Sequence, residues 1–373
     1  MQSIVDANAF GREQKCLAHV WTFLGLTLDA PHDGDWFVAS IATRSVFVQR
    51  FGTELRGFEN QCAHRLYPIR NEPQGRGPLE CSYHHWQYDS EGRAVGIPHA
   101  KVLFGALPQE LCARLKRIEL AIAGTLIFGR FPSSVDQSFE DFIGDGMPFL
   151  ETATQVKGHL QRLNYDIRAN WRLCVHISLD DYHSPAVHPA SFGREGYLHR
   201  QNVTYRQFGQ HNAFLATPRP NSWETLIERC AKGEYRPTHY TIVNIIPNLF
   251  VVLTRIDFSY FYGVVLAYEA VRHDLTKARV WIYPAPFPTH NRWLQKVTDP
   301  IRALVVRHLA DRIFREDNIV CERLQQAAPH MQALPRIGGL EERILWFEES
   351  YHQLILEGAK RACVTTDDRN MQP

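Results

Sequence analysis

Three short runs between residues 35 and 60, "DWFVASIA", "SVFVQRFG" and "ELRGFEN", alternate apolar and polar side chains. A period of two marks strands that turn one face to a core, and Gly52 supplies a turn between the second and third. "RIELAIAGTLIFGRF" adds two more strands, broken at Gly124. Residues from about 20 to 135 therefore read as a small all-β domain.

Beyond that point the period lengthens. "QSFEDFIGDGMPFL" is helical in pattern, and so is "IRANWRLCVHISLDDYH" up to a break at Pro185. From Asn202 to about Pro284 the chain is strand-like again, as in "HYTIVNII", "NLFVVL" and "ARVWIYPAP". Two long helical patterns, "PIRALVVRHLADRIFREDNIVCERLQQAA" and "LEERILWFEESYHQLILEGA", close it. A sheet flanked by helices is the simplest assembly of these parts. The strands around "FVVLTRIDFSYFYGVV" either line an apolar pocket or fill core.

A length of 373 residues allows two domains with real cores. Forty-one basic against forty acidic residues leave almost no net charge, which removes the case for nucleic acid or an anionic membrane as partner. No apolar run reaches the roughly 18–20 residues of a spanning helix. "CLAHVWTFLGLTLDA" loosely mimics a signal-peptide core, but His19 and its threonines make it the buried edge of a folded domain. Eight cysteines are scattered through the chain, so reduced thiols and a cytoplasmic setting are expected.

Two of those cysteines carry chemistry. In "CAHRLYPIRNEPQGRGPLECSYHHW", Cys62 is followed by His64 and Cys81 by the adjacent pair His84 and His85. Structural zinc modules usually pair cysteine with cysteine. One thiolate and one imidazole per loop, at C-x-H and C-x2-H, suit a [2Fe–2S] cluster of the Rieske type, although a Cys2His2 zinc site uses the same residue types. A second cluster lies in "DDYHSPAVHP". His183 and His188 are five apart and would point about 140° apart on one straight helix. A break at Pro185 lets both return to one point. Two imidazoles and a carboxylate form the facial triad of non-haem Fe(II) oxygenases.

"CAHR", "QGRGPLEC" and "YHHWQYDSEGRAVGIP" resemble the Rieske domain of the terminal oxygenase alpha subunits of ring-hydroxylating non-haem iron enzymes. In that family the second motif usually reads C-x-Y-H-G-W, which makes His84 the ligand and puts His85 where glycine is usual. "ANWRLCVHISLDDYHSPAVHP" is similar to the family's N-W-K…D/E-x-Y-H-x4-H segment, with His183 and His188 as iron ligands. "REDNIVCERLQ" matches a late E-D…E-x-x-Q pattern, which makes Asp317 the third ligand, with Glu316 and Glu322 as competitors. Where the family often has Glu-Asn, this chain has His176 and Ile177, so an asparagine contact near the iron is expected to be absent.

The resemblance implies an α+β fold: a small all-β Rieske domain plus a catalytic domain of antiparallel sheet flanked by helices, of the helix-grip type. It divides the chain into an N-terminal segment (1–19) packed on the catalytic domain, the Rieske domain (20–135) and the catalytic domain (136–373). It implies a terminal oxygenase in which Cys62, His64, Cys81 and His84 bind the cluster. Electrons pass to a mononuclear Fe(II), which uses O2 to hydroxylate an organic, aromatic substrate. N- or O-demethylation by the same machinery is the alternative, and a redox carrier or sensor is a poorer fit. "GRG" at Gly75–Gly77 is no dinucleotide fingerprint, so NAD(P)H enters through a separate reductase, with a ferredoxin as an optional carrier. The compact length resembles members that assemble as homotrimers. In the family an acid at the Asp180 position bridges His183 to the Rieske histidine of the adjacent subunit. Asp180 is three residues before His183, on the same face of the expected helix. Asp181 is expected to point elsewhere, so that Asp181→Asn is far milder than Asp180→Asn.

Overall fold

The computed structural model describes residues 2–133, 137–156, 159–189, 203–216, 222–235, 237, 240–255, 261–285, 292–331 and 335–367. The chain divides into two compact units, Leu17–Val135 and the remainder, Met1–Cys16 with Asp136–Pro373.

The Leu17–Val135 unit is built on β1 (Thr22–Leu26), β2 (Asp35–Ile41), β3 (Arg44–Phe51), β4 (Glu54–Glu59), β5 (Gln74–Arg76), β8 (Arg117–Ala123) and β9 (Leu126–Arg130). These form one antiparallel sheet in the order β1-β9-β8-β4-β3-β2-β5, while β6 (Gln87–Tyr88) and β7 (Ala94–Gly96) pair separately. The expected turns are present, Gly52 and Gly124 taking the left-handed φ of +59° and +61° that tight hairpins require. One strand explains why the alternation in "SVFVQRFG" is imperfect. Val46 and Val48 join a core with Phe37, Ile41 and Ile127. Phe47, between them, points the other way and joins Phe58, Leu79 and Trp86. A strand buried on both faces reads as a continuous apolar run. The second of these cores also holds Cys62 and Cys81.

The other unit carries the second antiparallel sheet, in the order β10-β16-β15-β14-β13-β12-β11. Its strands are β10 (Gln161–Ile167), β11 (Val203–Phe208), β12 (His211–Ala216), β13 (Tyr240–Ile245), β14 (Leu249–Arg255), β15 (Phe261–Arg272) and β16 (Leu275–Pro284). Residues 256–260 of "FVVLTRIDFSYFYGVV" lie outside the described residues. The helix Trp171–Leu179 packs on β15 and β16, the long helix Arg292–Ala327 on β10 and on that helix, and Glu342–Asp367 on β12. Fold class is thus as expected, with two differences. Strand β10 precedes the stretch expected to hold the strands; it is an edge strand in which only Leu163 and Ile167 are buried, too weak a pattern to read. A helix, Trp223–Ala231, interrupts that stretch, started by Ser222, whose Oγ accepts from the Thr225 N–H at 3.1 Å. Among the described residues no helix is long and apolar enough to cross a membrane.

Candidate metal centres

The two Cys–His loops are twins in backbone. The Cys62 N–H donates to Tyr67 O (2.8 Å) and Cys62 O accepts from the Leu66 N–H (2.9 Å); the Cys81 N–H donates to Trp86 O (2.9 Å) and Cys81 O accepts from the His85 N–H (2.9 Å). In each loop the fourth residue after the cysteine is left-handed, Leu66 with φ +61° and His85 with φ +57°. That conformation favours glycine, which is the physical reason for glycine at this place in the resembling motif. The loops bring the four expected ligands together. Cys62 and Cys81 are 2% and 1% exposed and share one core, and the rings of His64 and His84 lie 4.7 Å apart. His64 also stacks on Trp86 at 4.9 Å. The Tyr88 hydroxyl accepts from the Ala63 N–H (3.2 Å) and lies 3.1 Å from Cys62 Sγ. His85 stays outside this group, its Nδ1 2.6 Å from Glu80 on the surface.

These residues fit a metal cluster. His64 Nδ1 is buried without a hydrogen-bond partner. Burial pushes the Cys81 thiol up and the His64 imidazole down, so both prefer to be neutral. Thiolates in such a place call for a bound cation.

The second centre begins where the helix Trp171–Leu179 stops. Pro185 is expected to end the helix near His183; the helix stops four residues earlier, at Leu179. Asp180 is extended (φ −88°, ψ 111°), and its Oδ1 accepts from the N–H groups of Tyr182 (2.7 Å) and His183 (3.1 Å). A side chain that captures the next amides competes with helix continuation. Asp180 therefore lies beyond the helix, not on its face. Pro185 instead opens a new four-residue turn, Ser184–Val187, where a missing N–H costs nothing. That turn carries His183 at one end and His188 at the other.

Here His183, His188 and Asp317 converge, all their ligand atoms within 4.8 Å of one another. Asp317 Oδ1 lies 2.9 Å from His188 Nε2 and 3.4 Å from His183 Nε2, and the two Nε2 atoms are 3.3 Å apart. The far nitrogens are held by other acids: His188 Nδ1 by Glu316 at 2.8 Å, and His183 Nδ1 by Asp180 at 3.5 Å, an ionic contact rather than an aligned hydrogen bond. At His188 the carboxylate on Nδ1 fixes that nitrogen as N–H and so directs Nε2 toward a metal. Burial opposes charge on His183, but Asp180 and Asp317 outweigh it and raise the imidazole to about 10. Burial would raise Asp317; the two histidines overcome it and hold the carboxyl low. Asp317 Oδ1 is buried and makes no aligned hydrogen bond. Two imidazoles and one carboxylate on one point form a donor set that fits Fe(II).

The competitors for the carboxylate position take other work. Glu316 supports His188, and Glu322 accepts from the Arg168 N–H at 3.1 Å. His176 is tied to Glu348 at 2.7 Å, a carboxylate that also binds Arg172. Asp181 does point away from His183, but not into solvent. It is buried against Arg343 and Tyr205, so it is not a solvent-facing control for Asp180. Spacing could not reveal that partner, which lies 162 residues away.

Residues 20–108 match the Rieske [2Fe-2S] domain family, and residues 157–357 match the ring hydroxylating alpha subunit (catalytic domain) family. The alpha 2 subunit of the terephthalate 1,2-dioxygenase terminal oxygenase component from Comamonas sp is 30% identical over 195 residues, which cover 49% of this chain and 46% of that protein. The large oxygenase component of a naphthalene 1,2-dioxygenase system from Pseudomonas fluorescens is 29% identical over 50% of this chain and 43% of its own. The chain thus spans about half the length of these curated relatives in the match. In fold, it superimposes on naphthalene 1,2-dioxygenase from Rhodococcus sp. with a TM-score of 0.73 at 19% identity, over 95% of this chain and 94% of the other. A quaternary ammonium Rieske monooxygenase gives a TM-score of 0.74 at 15% identity with the same coverage.

Proposed function

This chain belongs to the ring-hydroxylating alpha-subunit family and carries a Rieske [2Fe-2S] domain, and from that premise we propose that it is the terminal oxygenase component of an O2-dependent hydroxylating system. The observation that carries the reading is the meeting of His183, His188 and Asp317 on one point, in a chain that also presents a Cys2His2 loop pair. Cys62, His64, Cys81 and His84 would hold the cluster, and His183, His188 and Asp317 the mononuclear iron. When bound, the cluster supplies single electrons and the iron supplies dioxygen activation.

The chain's own residues do the rest. Glu316 keeps the His188 proton on Nδ1 and so leaves Nε2 available. Asp180 sets the loop that delivers His183 and orients its ring. As a carboxylate it can accept from two imidazole N–H groups, which suits the bridging role to a neighbouring subunit's cluster histidine in a homotrimer. The named substrates of the relatives support a small aromatic substrate. Electrons would come from an external NAD(P)H reductase, with or without a ferredoxin, in the cytoplasm.

The test is stoichiometry and turnover. Purified protein should hold three irons and two acid-labile sulfides per chain. With a surrogate reductase it should consume O2 against a panel of aromatic compounds, and product mass tells dihydroxylation from single hydroxylation or demethylation. Two irons per chain with no substrate-dependent O2 uptake would mean an electron carrier and refute the reading.

A further inference from the structure

Five residues separate the end of the helix at Leu179 from Pro185, and within them the chain must turn so that His183 and His188 both reach Asp317. Asp180 fixes the turn locally, by capping the amides of Tyr182 and His183. A local turn can still swing as a body, and something must fix its direction.

Asp181 is bound on every side. Its N–H donates to Leu340 O at 3.3 Å, and its carboxylate accepts from Arg343 Nη2 at 3.2 and 3.0 Å and from the Tyr205 hydroxyl at 3.0 Å. The same Arg343 nitrogen reaches Ser178 O at 3.5 Å, so one guanidinium grips the chain on both sides of the helix end. Arg343 is 0% exposed, and the rings of Phe214 and Tyr205 lie 5.3 and 5.7 Å from it. Five residues further along the same helix, Glu348 holds Arg172 and His176. The C-terminal helix therefore grips both ends of the helix Trp171–Leu179, which leads into the iron-bearing turn.

A buried ion pair is a poor device for stability alone. Desolvating both charges costs about what their attraction returns, and well-packed apolar residues often do as well or better. A directional pair beside a site whose ligands must be held closely is better explained by geometry. We propose that Asp181 and Arg343 are positioning residues: a charged clamp, absent from the metal's own ligands, that sets the direction of the His183–His188 turn and so tunes iron affinity. This inference rests on the reading of His183, His188 and Asp317 as the iron site.

The test replaces the clamp by apolar residues of similar size, Asp181→Leu with Arg343→Met, because either change alone strands a buried charge and endangers folding. Chelator-treated protein is titrated anaerobically with ferrous iron against a competing chelator, and the EPR spectrum of its nitric oxide complex is recorded. The double variant should melt at or above the wild-type temperature and keep the Rieske EPR signal. It should bind the third iron roughly ten- to hundredfold more weakly, the range seen when a ligand's support is lost, with a broadened nitric oxide spectrum. Wild-type affinity in the folded double variant overturns the clamp. So does a large fall in melting temperature, which would make the pair a stability element. A wild-type protein that takes up no third iron at all would instead overturn the oxygenase reading, whatever the variants do.

Discussion

Glu316 offers the most direct measurement of how the iron site is tuned. His188 is 0% exposed, and its Nδ1 lies 2.8 Å from Glu316 Oε2, whose other oxygen is held by Arg312 at 3.0 Å. With that acceptor gone, the neutral imidazole gains by moving its proton to Nε2, where Asp317 Oδ1 waits 2.9 Å away. That tautomer cannot ligate, so iron must first reverse it. A hydrogen bond to a charged group contributes about 1.5–3 kcal/mol. Glu316 is 24% exposed, which screens the interaction and favours the lower end. At about 1.4 kcal/mol per factor of ten, Glu316→Ala should weaken ferrous binding roughly tenfold. Glu316→Gln keeps an acceptor oxygen without the charge and should fall between. The assay is anaerobic iron titration against a chelator, with the Rieske EPR signal as an internal control. Wild-type affinity in Glu316→Ala, or Glu316→Gln binding more weakly than Glu316→Ala, would refute the tautomer argument.

Three further outcomes are expected. His84→Ala should abolish the EPR signal of a histidine-ligated [2Fe–2S] centre, while His85→Gly, which suits the φ of +57° there, should keep it; the opposite result reverses the ligand assignment. Asp180→Asn can still accept from the Tyr182 and His183 amides, so it should keep cluster and iron, yet rapid-mix reoxidation of the reduced cluster with substrate and O2 should nearly stop; wild-type rates would remove the bridging role. Against burial, His176 and Arg172 hold Glu348 down at about 2, below the ordinary 4.5. Its stabilisation is therefore full above pH 4.5 and lost as pH falls toward 2, an effect of roughly 3 kcal/mol. Denaturant unfolding of Glu348→Gln should show that deficit at pH 7 and converge on wild type near pH 2, and a constant gap across that range would count against the linkage.

Much of this was legible in the sequence, wherever the signal was local. The hairpins of the small domain, the loop cysteines with their histidines, and the pair His183 and His188 each declare themselves within a few residues, because strand period, ligand spacing and proline chemistry are short-range. The proposed third iron ligand was harder. Glu316 and Asp317 are neighbours on one helix, and only the fold decides which carboxylate meets the Nε2 atoms and which the Nδ1. The helix end at Leu179 was misread because Pro185 is a visible breaker, whereas an aspartate that captures two amides resembles any polar residue near a helix end. The Asp181–Arg343 contact was invisible, since nothing in either neighbourhood calls for the other.

The twin loops bear on the order in which such a protein is assembled. Each is closed by two bonds of its own backbone, and both rest on a core that includes Phe47, Phe58 and Trp86. Modules whose ligands alone organise the chain fold only as metal arrives. A frame closed by its own backbone bonds is expected to keep its shape when iron and sulfide are absent, which circular dichroism of cluster-free protein checks. On that expectation, cofactor supply would limit how many molecules become active rather than how many fold.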